Sequence, residues 1–132
     1  MIQRRMFALS AVAAALFAVP PIGVAFATQA PFSDEAFQKA QAAGKPILID
    51  VYASWCPICR RQQPILSELI AQPKFRTLTV FRIDWDTQKE AVKRFGVTYQ
   101  STLIVFKGAN EAGRSVGDSR RESIAELLDK AQ

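Results

Sequence analysis

The chain has 132 residues, 49% of them hydrophobic and 22% charged, with a net charge of +5 from 17 Lys+Arg against 12 Asp+Glu and no histidine. Such a length holds one small domain, and the apolar fraction is that of a globular chain rather than a disordered one. The lack of histidine excludes Ser-His-Asp and Cys-His mechanisms and His-containing zinc sites, while two cysteines exclude a four-cysteine metal site or a disulfide-dense scaffold.

Residues 1–27 differ from the rest. Arg4 and Arg5 open the segment, Met6 to Val19 is apolar or small apart from Ser10, Pro20 and Pro21 break the run, and Ala25-Phe26-Ala27 puts small residues where a signal peptidase reads. This is the layout of a secretory signal, with cleavage expected after Ala27 and one domain over residues 28–132. The alternative is a membrane anchor over residues 6–24, barely the roughly 20 residues a spanning helix needs. Arg4-Arg5-Met6-Phe7 has some resemblance to a twin-arginine export signal but lacks the usual flanking residues. Removing the segment subtracts two arginines and no acid, which lowers the charge from +5 to +3. A charge that small, spread along the chain, argues against nucleic acid as a partner.

Past that point, Ser33 is an N-cap candidate for a helix with Asp34 and Glu35 in its first turn, closed by Gly44. Ile47 to Tyr52 is an apolar run broken only by Asp50, the pattern of a strand buried on both faces. Pro57 to Ala71 carries the apolar stripe of an amphipathic helix, with a kink expected at Pro64. Leu78 to Ile83 reads as a second buried strand, Thr87 to Phe95 as a short helix closed by Gly96, and Thr102 to Phe106 as a third strand. A turn at residues 107–110, a weaker edge strand over Gly113 to Val116 and a helix over Ser119 to Lys130 complete the chain. Helix-linked strands ending in a hairpin imply an α/β sandwich: a mixed four-stranded sheet with helices on both faces.

The sequence Cys56-Pro57-Ile58-Cys59 falls where the first buried strand turns into a helix. Two intervening residues set the sulfurs about one helical turn apart, within reach of a disulfide. The helix start aims free N–H groups and the positive end of the macrodipole at the first sulfur, which favours its thiolate, and Pro57 suits the first turn. Cys56 is therefore expected to be exposed and nucleophilic and Cys59 shielded. Cys56 attacks a partner disulfide, and Cys59 then attacks Cys56 to release the reduced partner. Asp50 sits in an apolar strand, where lost hydration raises a carboxyl pKa toward the range useful for acid–base work.

Residues 47–59, Ile-Leu-Ile-Asp-Val-Tyr-Ala-Ser-Trp-Cys-Pro-Ile-Cys, resemble the active-site strand and loop of thioredoxin-like proteins. With Lys45-Pro46 and the export signal, they are most similar to periplasmic members such as the C-terminal domain of the DsbD reductase. The resemblance runs from about Phe32 to the C-terminus. It implies a thioredoxin-like sandwich, a thiol–disulfide oxidoreductase of the periplasm, Cys56 as attacking thiol, Cys59 as resolving thiol and Asp50 as the buried acid that relays the resolving proton. Arg82 falls where relatives carry a lysine near this acid. Substrate contact is implied for Trp55, Pro57, Ile58, Gln100 and Ser101.

Ser101 stands where the family has a cis-proline facing the thiols, so the Gln100–Ser101 bond is expected to be trans. Its hydroxyl has two imagined uses, a hydrogen bond to Cys56 or room for a metal. The implied cofactor is none beyond the redox-active Cys56–Cys59 disulfide, with no resident metal. The implied partners are periplasmic protein disulfides or a membrane thiol reductase, met by a monomer. A soft-metal carrier, binding copper(I) through the two thiolates, is the alternative function.

Overall fold

The computed structural model describes residues 23 and 26–132; the signal segment and the alternative anchor lie almost wholly outside them. The elements are β1 (Thr28–Pro31), α1 (Asp34–Ala42), β2 (Pro46–Tyr52), α2 (Pro57–Ile70), a 3-10 turn (Pro73–Phe75), β3 (Thr79–Asp84), α3 (Lys89–Arg94), β4 (Thr102–Lys107), β5 (Asn110–Val116) and α4 (Arg121–Asp129). The sheet has five strands in the order β1-β3-β2-β4-β5, one more than the sequence implied. The added strand is β1. Thr28-Gln29-Ala30-Pro31 has no apolar alternation because it is an edge, paired parallel to β3 on one side only.

Local chemistry accounts for the helix ends. Ser33 Oγ accepts the Ala36 N–H at 3.2 Å, which caps α1. Gly44 (φ +70°) and Gly96 (φ +63°) close α1 and α3 in the left-handed conformation. In each case paired bonds run back to the last turn: Gly44 N to Gln41 O and Lys45 N to Ala40 O, Gly96 N to Lys93 O and Val97 N to Val92 O. α2 continues as one helix through Pro64. The missing N–H leaves the Arg60 carbonyl without its intrahelical donor, and Arg60 is exposed.

The period-two alternation of the strands sorts side chains into two cores. On one face Leu48, Val80, Leu103 and Val105 meet Leu66, Leu69 and Ile70 of α2 and Ile124, Leu127 and Leu128 of α4, with Phe75 sealing the end. On the other, Ile47, Ile49, Val51, Phe81, Ile83, Ile104 and Phe106 meet Phe37 and Ala40 of α1 and Val92 of α3. Phe32, Phe37, Phe81, Phe95 and Phe106 form a cluster there with ring centroids 5.2–6.2 Å apart, edge-to-face except for the tilted Phe32–Phe37 pair. On the α2 and α4 face, β5 must come close. A Cβ at Gly113 would stand 3.1 Å from Leu127 Cδ1, so a glycine suits that spot. The same alternation sends Asp50 to the α2 side, in the parity of Leu48, and pairs it in register with Arg82.

Candidate active site

Cys56 is the N-cap of α2. Its backbone is extended (φ −78°, ψ 114°), and its Sγ accepts the N–H of Cys59 at 3.1 Å. A sulfur thus takes the role that a serine or aspartate oxygen takes at most helix starts, and Pro57 occupies the first helical position without wasting a donor. Reaching back over the first turn folds the side chain inward. Cys56 is only 1% exposed and Cys59 0%, so the expected exposure of Cys56 does not hold. Both are free thiols, packed with Ala53 and flanked by Tyr52, Ile58 and Trp85. What stands open beside them is Trp55, half exposed, with its indole N–H donating to Asp86 Oδ2 at 2.9 Å, and the exposed Pro57.

The two sulfurs are chemically unequal. Burial, first, and then a thiol hydrogen bond to Cys56 push the Cys59 pKa up to about 11. The charges of Cys56 and Asp50 add to the rise, and the Ala53 backbone opposes it. Cys59 therefore holds its proton at neutral pH, and that thiol hydrogen bond is directed at Cys56.

Asp50 is 2% exposed, and burial raises its pKa above the usual carboxylate range, opposed by the Arg82 charge and by hydrogen bonds from Gln63 and Arg82. Gln63 Nε2 and Arg82 Nη2 both reach the same oxygen, Oδ2, at 3.2 and 3.4 Å. Arg82 also donates to Gln63 Oε1, which closes a three-membered network, and its guanidinium lies 4.2 Å over the Tyr52 ring. Oδ1 is buried and has no hydrogen-bond partner. A cavity of about 10 Å3 against Asp50 and Gln63 is at the lower limit for one water. Arg82 is 41% exposed, so its ion pair with Asp50 is partly screened. A surface cavity of about 400 Å3 has Arg82 in its wall and neither cysteine.

The remaining expected site residues, Gln100 and Ser101, lie in the loop before β4. Ser101 is fully buried with φ +63°, and among the described residues there is no cis peptide bond. Its hydroxyl donates to the Gln100 carbonyl, not to Cys56. Gln100 is 8% exposed, so its carbonyl is turned to an internal partner. Gly117 brings the next turn close: a Cβ there would stand 3.8 Å from Ile58 Cδ1 and 4.0 Å from Ser101 Oγ. Among the described residues no group of three or more His, Cys, Asp or Glu could hold a metal ion, so copper(I) would find two sulfurs and no third ligand of this set.

Two polar residues went unnoticed in the sequence. Gln63 holds Asp50, and the fully buried Gln62 donates from Nε2 to the carbonyls of Ser101 (3.1 Å) and Asp118 (2.8 Å). The signal was present. Gln62 lies three residues after Cys59 and four before Leu66, on the buried seam of α2, where a polar side chain needs partners.

Comparison with known proteins agrees with this geometry. The family model described as Thioredoxin matches residues 28–130. The chain belongs to the thioredoxin family. It is 35% identical over 101 residues to a thioredoxin of Alicyclobacillus acidocaldarius, covering 76% of this chain and 95% of that one. A thioredoxin of Chlamydia muridarum is 34% identical over 100 residues, with 76% and 95% covered. Among solved structures, Trxlp from Edwardsiella tarda superposes with a TM-score of 0.74 at 46% identity, covering 77% of this chain and 98% of that one. These relatives carry the plain thioredoxin name rather than that of the DsbD type. The chain is thus a thioredoxin-type thiol–disulfide oxidoreductase with a Cys56–Cys59 pair.

Proposed function

We propose that this thioredoxin-family chain is exported, and that it reduces or exchanges disulfides of partner proteins in the periplasm through Cys56 and Cys59. The observation that carries the chemistry is the pairing of one sulfur capped by a helix N–H with a second held as a thiol beside a buried carboxyl. Cys56, as thiolate, attacks one sulfur of the partner disulfide; that S–S bond breaks, one partner sulfur leaves as thiolate, and Cys56 is joined to the other. Cys59 then gives its proton to Asp50 and attacks Cys56. The mixed disulfide breaks, the second partner sulfur leaves as thiolate, and the protein ends with a Cys56–Cys59 disulfide. Two electrons have passed to the partner, and a dithiol donor, such as a membrane thiol reductase, must return them. Substrate contact is assigned to the exposed Trp55 and Pro57 and the partly buried Ile58, and at the loop before β4 to Gln100 and Ser101, which are buried until that loop gives way, the chain acting as a monomer.

Export is supported by the basic, apolar and small-residue layout of residues 1–27 and by the start of the family match at Thr28, so cleavage after Ala27 spares the whole fold. The trapping experiment is a Cys59→Ser variant, which should accumulate mixed disulfides through Cys56 with exported proteins; if none form, the reading fails. Cell fractionation should find a mature protein beginning at Thr28 outside the cytoplasm. Equilibration with glutathione gives the direction: a potential near about −270 mV marks a reductant, one near about −120 mV an oxidant.

A further inference from the structure

We infer that Gln62 is a positioning residue for the partner protein: its side-chain amide ties the thiol-bearing helix to the Ser101 loop and holds Ser101 in its left-handed conformation. The inference rests on the oxidoreductase reading and on a partner meeting this loop at its exposed residues Thr98 and Tyr99, which the buried Gln100 and Ser101 support from beneath.

Ser101 is not a glycine, yet it sits at φ +63°. For a residue with a Cβ this conformation is strained and persists only where the surroundings over-determine it. The surroundings here are specific. Ser101 N donates to Val51 O at 2.9 Å, Gly117 N donates to Ser101 O at 3.1 Å, and Gln62 Nε2 donates to the same carbonyl at 3.1 Å. Val51 belongs to the sheet and Gly117 to the neighbouring turn. Of these three donors and acceptors, Gln62 alone comes from α2, the helix that carries both cysteines.

Its second proton goes to Asp118 O at 2.8 Å, so one amide pins α2, the Ser101 loop and the turn before α4 together. The role needs two N–H donors on one uncharged atom at the end of a three-carbon reach. Methionine fills the same volume without donors, asparagine is a methylene short, and lysine would bring a charge into a fully buried place. The family's proline rigidity is absent at this position, and a side-chain clamp from the catalytic helix supplies rigidity instead.

The test is steady-state reduction of insulin disulfides under dithiothreitol by the full mature protein. Gln62→Met is expected to raise KM for insulin about fivefold, the effect of roughly 1 kcal/mol, with kcat within about twofold. In a Ser101→Gly background, where the left-handed conformation is free, the same change should raise KM less than about twofold. Gln62→Asn, which keeps the donors but not the reach, should also raise KM, and it carries the test if the methionine variant does not fold. The inference is overturned if folded variants keep the wild-type KM, if kcat falls by as large a factor as KM rises, or if the glycine background leaves the effect at full size. Should the wild type reduce no insulin, the oxidoreductase reading fails first and takes this inference with it.

Discussion

Replacing Asp50 by Asn should stall the chain halfway through its reaction. Cys59, with a pKa of about 11, is a thiolate in roughly one molecule in ten thousand at pH 7, which places about 5 kcal/mol between the resting thiol and the nucleophile. Asp50 is the buried carboxyl whose charge acts on that thiol, and its Oδ1 has no partner to occupy it. A positioned base contributes roughly 10²–10⁴-fold. Asn keeps the shape and still accepts from Gln63 and Arg82, but takes no proton. Reaction with 5,5′-dithiobis(2-nitrobenzoate) separates the steps, because attack by Cys56 releases one coloured thiolate and attack by Cys59 the second. In stopped flow the first phase should be little altered by Asp50→Asn, while the second slows about 100-fold at pH 7. The slowed phase should then recover about tenfold per pH unit above pH 7 and level off earlier than the wild-type Cys59 pKa of about 11, because the Asp50 charge that helps raise it is gone and solvent takes over the deprotonation. If the second phase of the variant matches the wild type at pH 7, Asp50 is not the base.

Other outcomes follow from the same structure. Removing the Arg82 charge with Arg82→Gln takes away the largest influence that lowers the Asp50 pKa, so the pH profile of the second phase should move to higher pH. Asp50 is more easily protonated folded than unfolded, so its contribution to stability is complete below its ordinary pKa of 3.8 and is lost as pH rises through the folded value; urea melts should show Asp50→Asn gaining on the wild type from pH 3.5 to pH 7. Cys59 acts in the same sense higher up: stability of the reduced protein should fall between about pH 9 and pH 11, by at most about 1.4 kcal/mol per pH unit, and Cys59→Ser should flatten the fall. Phe37→Ala, at the hub of the aromatic cluster, should cost about 3–5 kcal/mol in urea unfolding.

Much of this was legible in the amino-acid order alone. Glycines at 44 and 96 end helices because only they take the left-handed turn cheaply, and the Cys-Pro-Ile-Cys run marks a helix start because proline and an N-capping side chain both belong there. Asp50 stood out as a charge in an apolar strand, and β2–β3 register sets Arg82 beside it. Other features depend on partners distant in sequence. β1 has no amphipathic signature and becomes a strand only when β3 offers its edge. The inward turn of Cys56 follows from the cap bond, which the sequence locates without giving the side-chain direction. The seam position of Gln62 announces a polar side chain in need of partners without naming them, and Gln63 reads as ordinary helix surface until α2 is laid against Asp50 of β2 and Arg82 of β3.

The division of the interior by the sheet has a practical reach. Five of the chain's nine phenylalanines gather on the face away from Cys56, Cys59 and Asp50, a layer that holds the fold while taking no part in electron transfer. Fluorine labels on those rings would act as silent witnesses: their NMR lines would report melting of the scaffold, while the thiols across the sheet cycled between oxidation states.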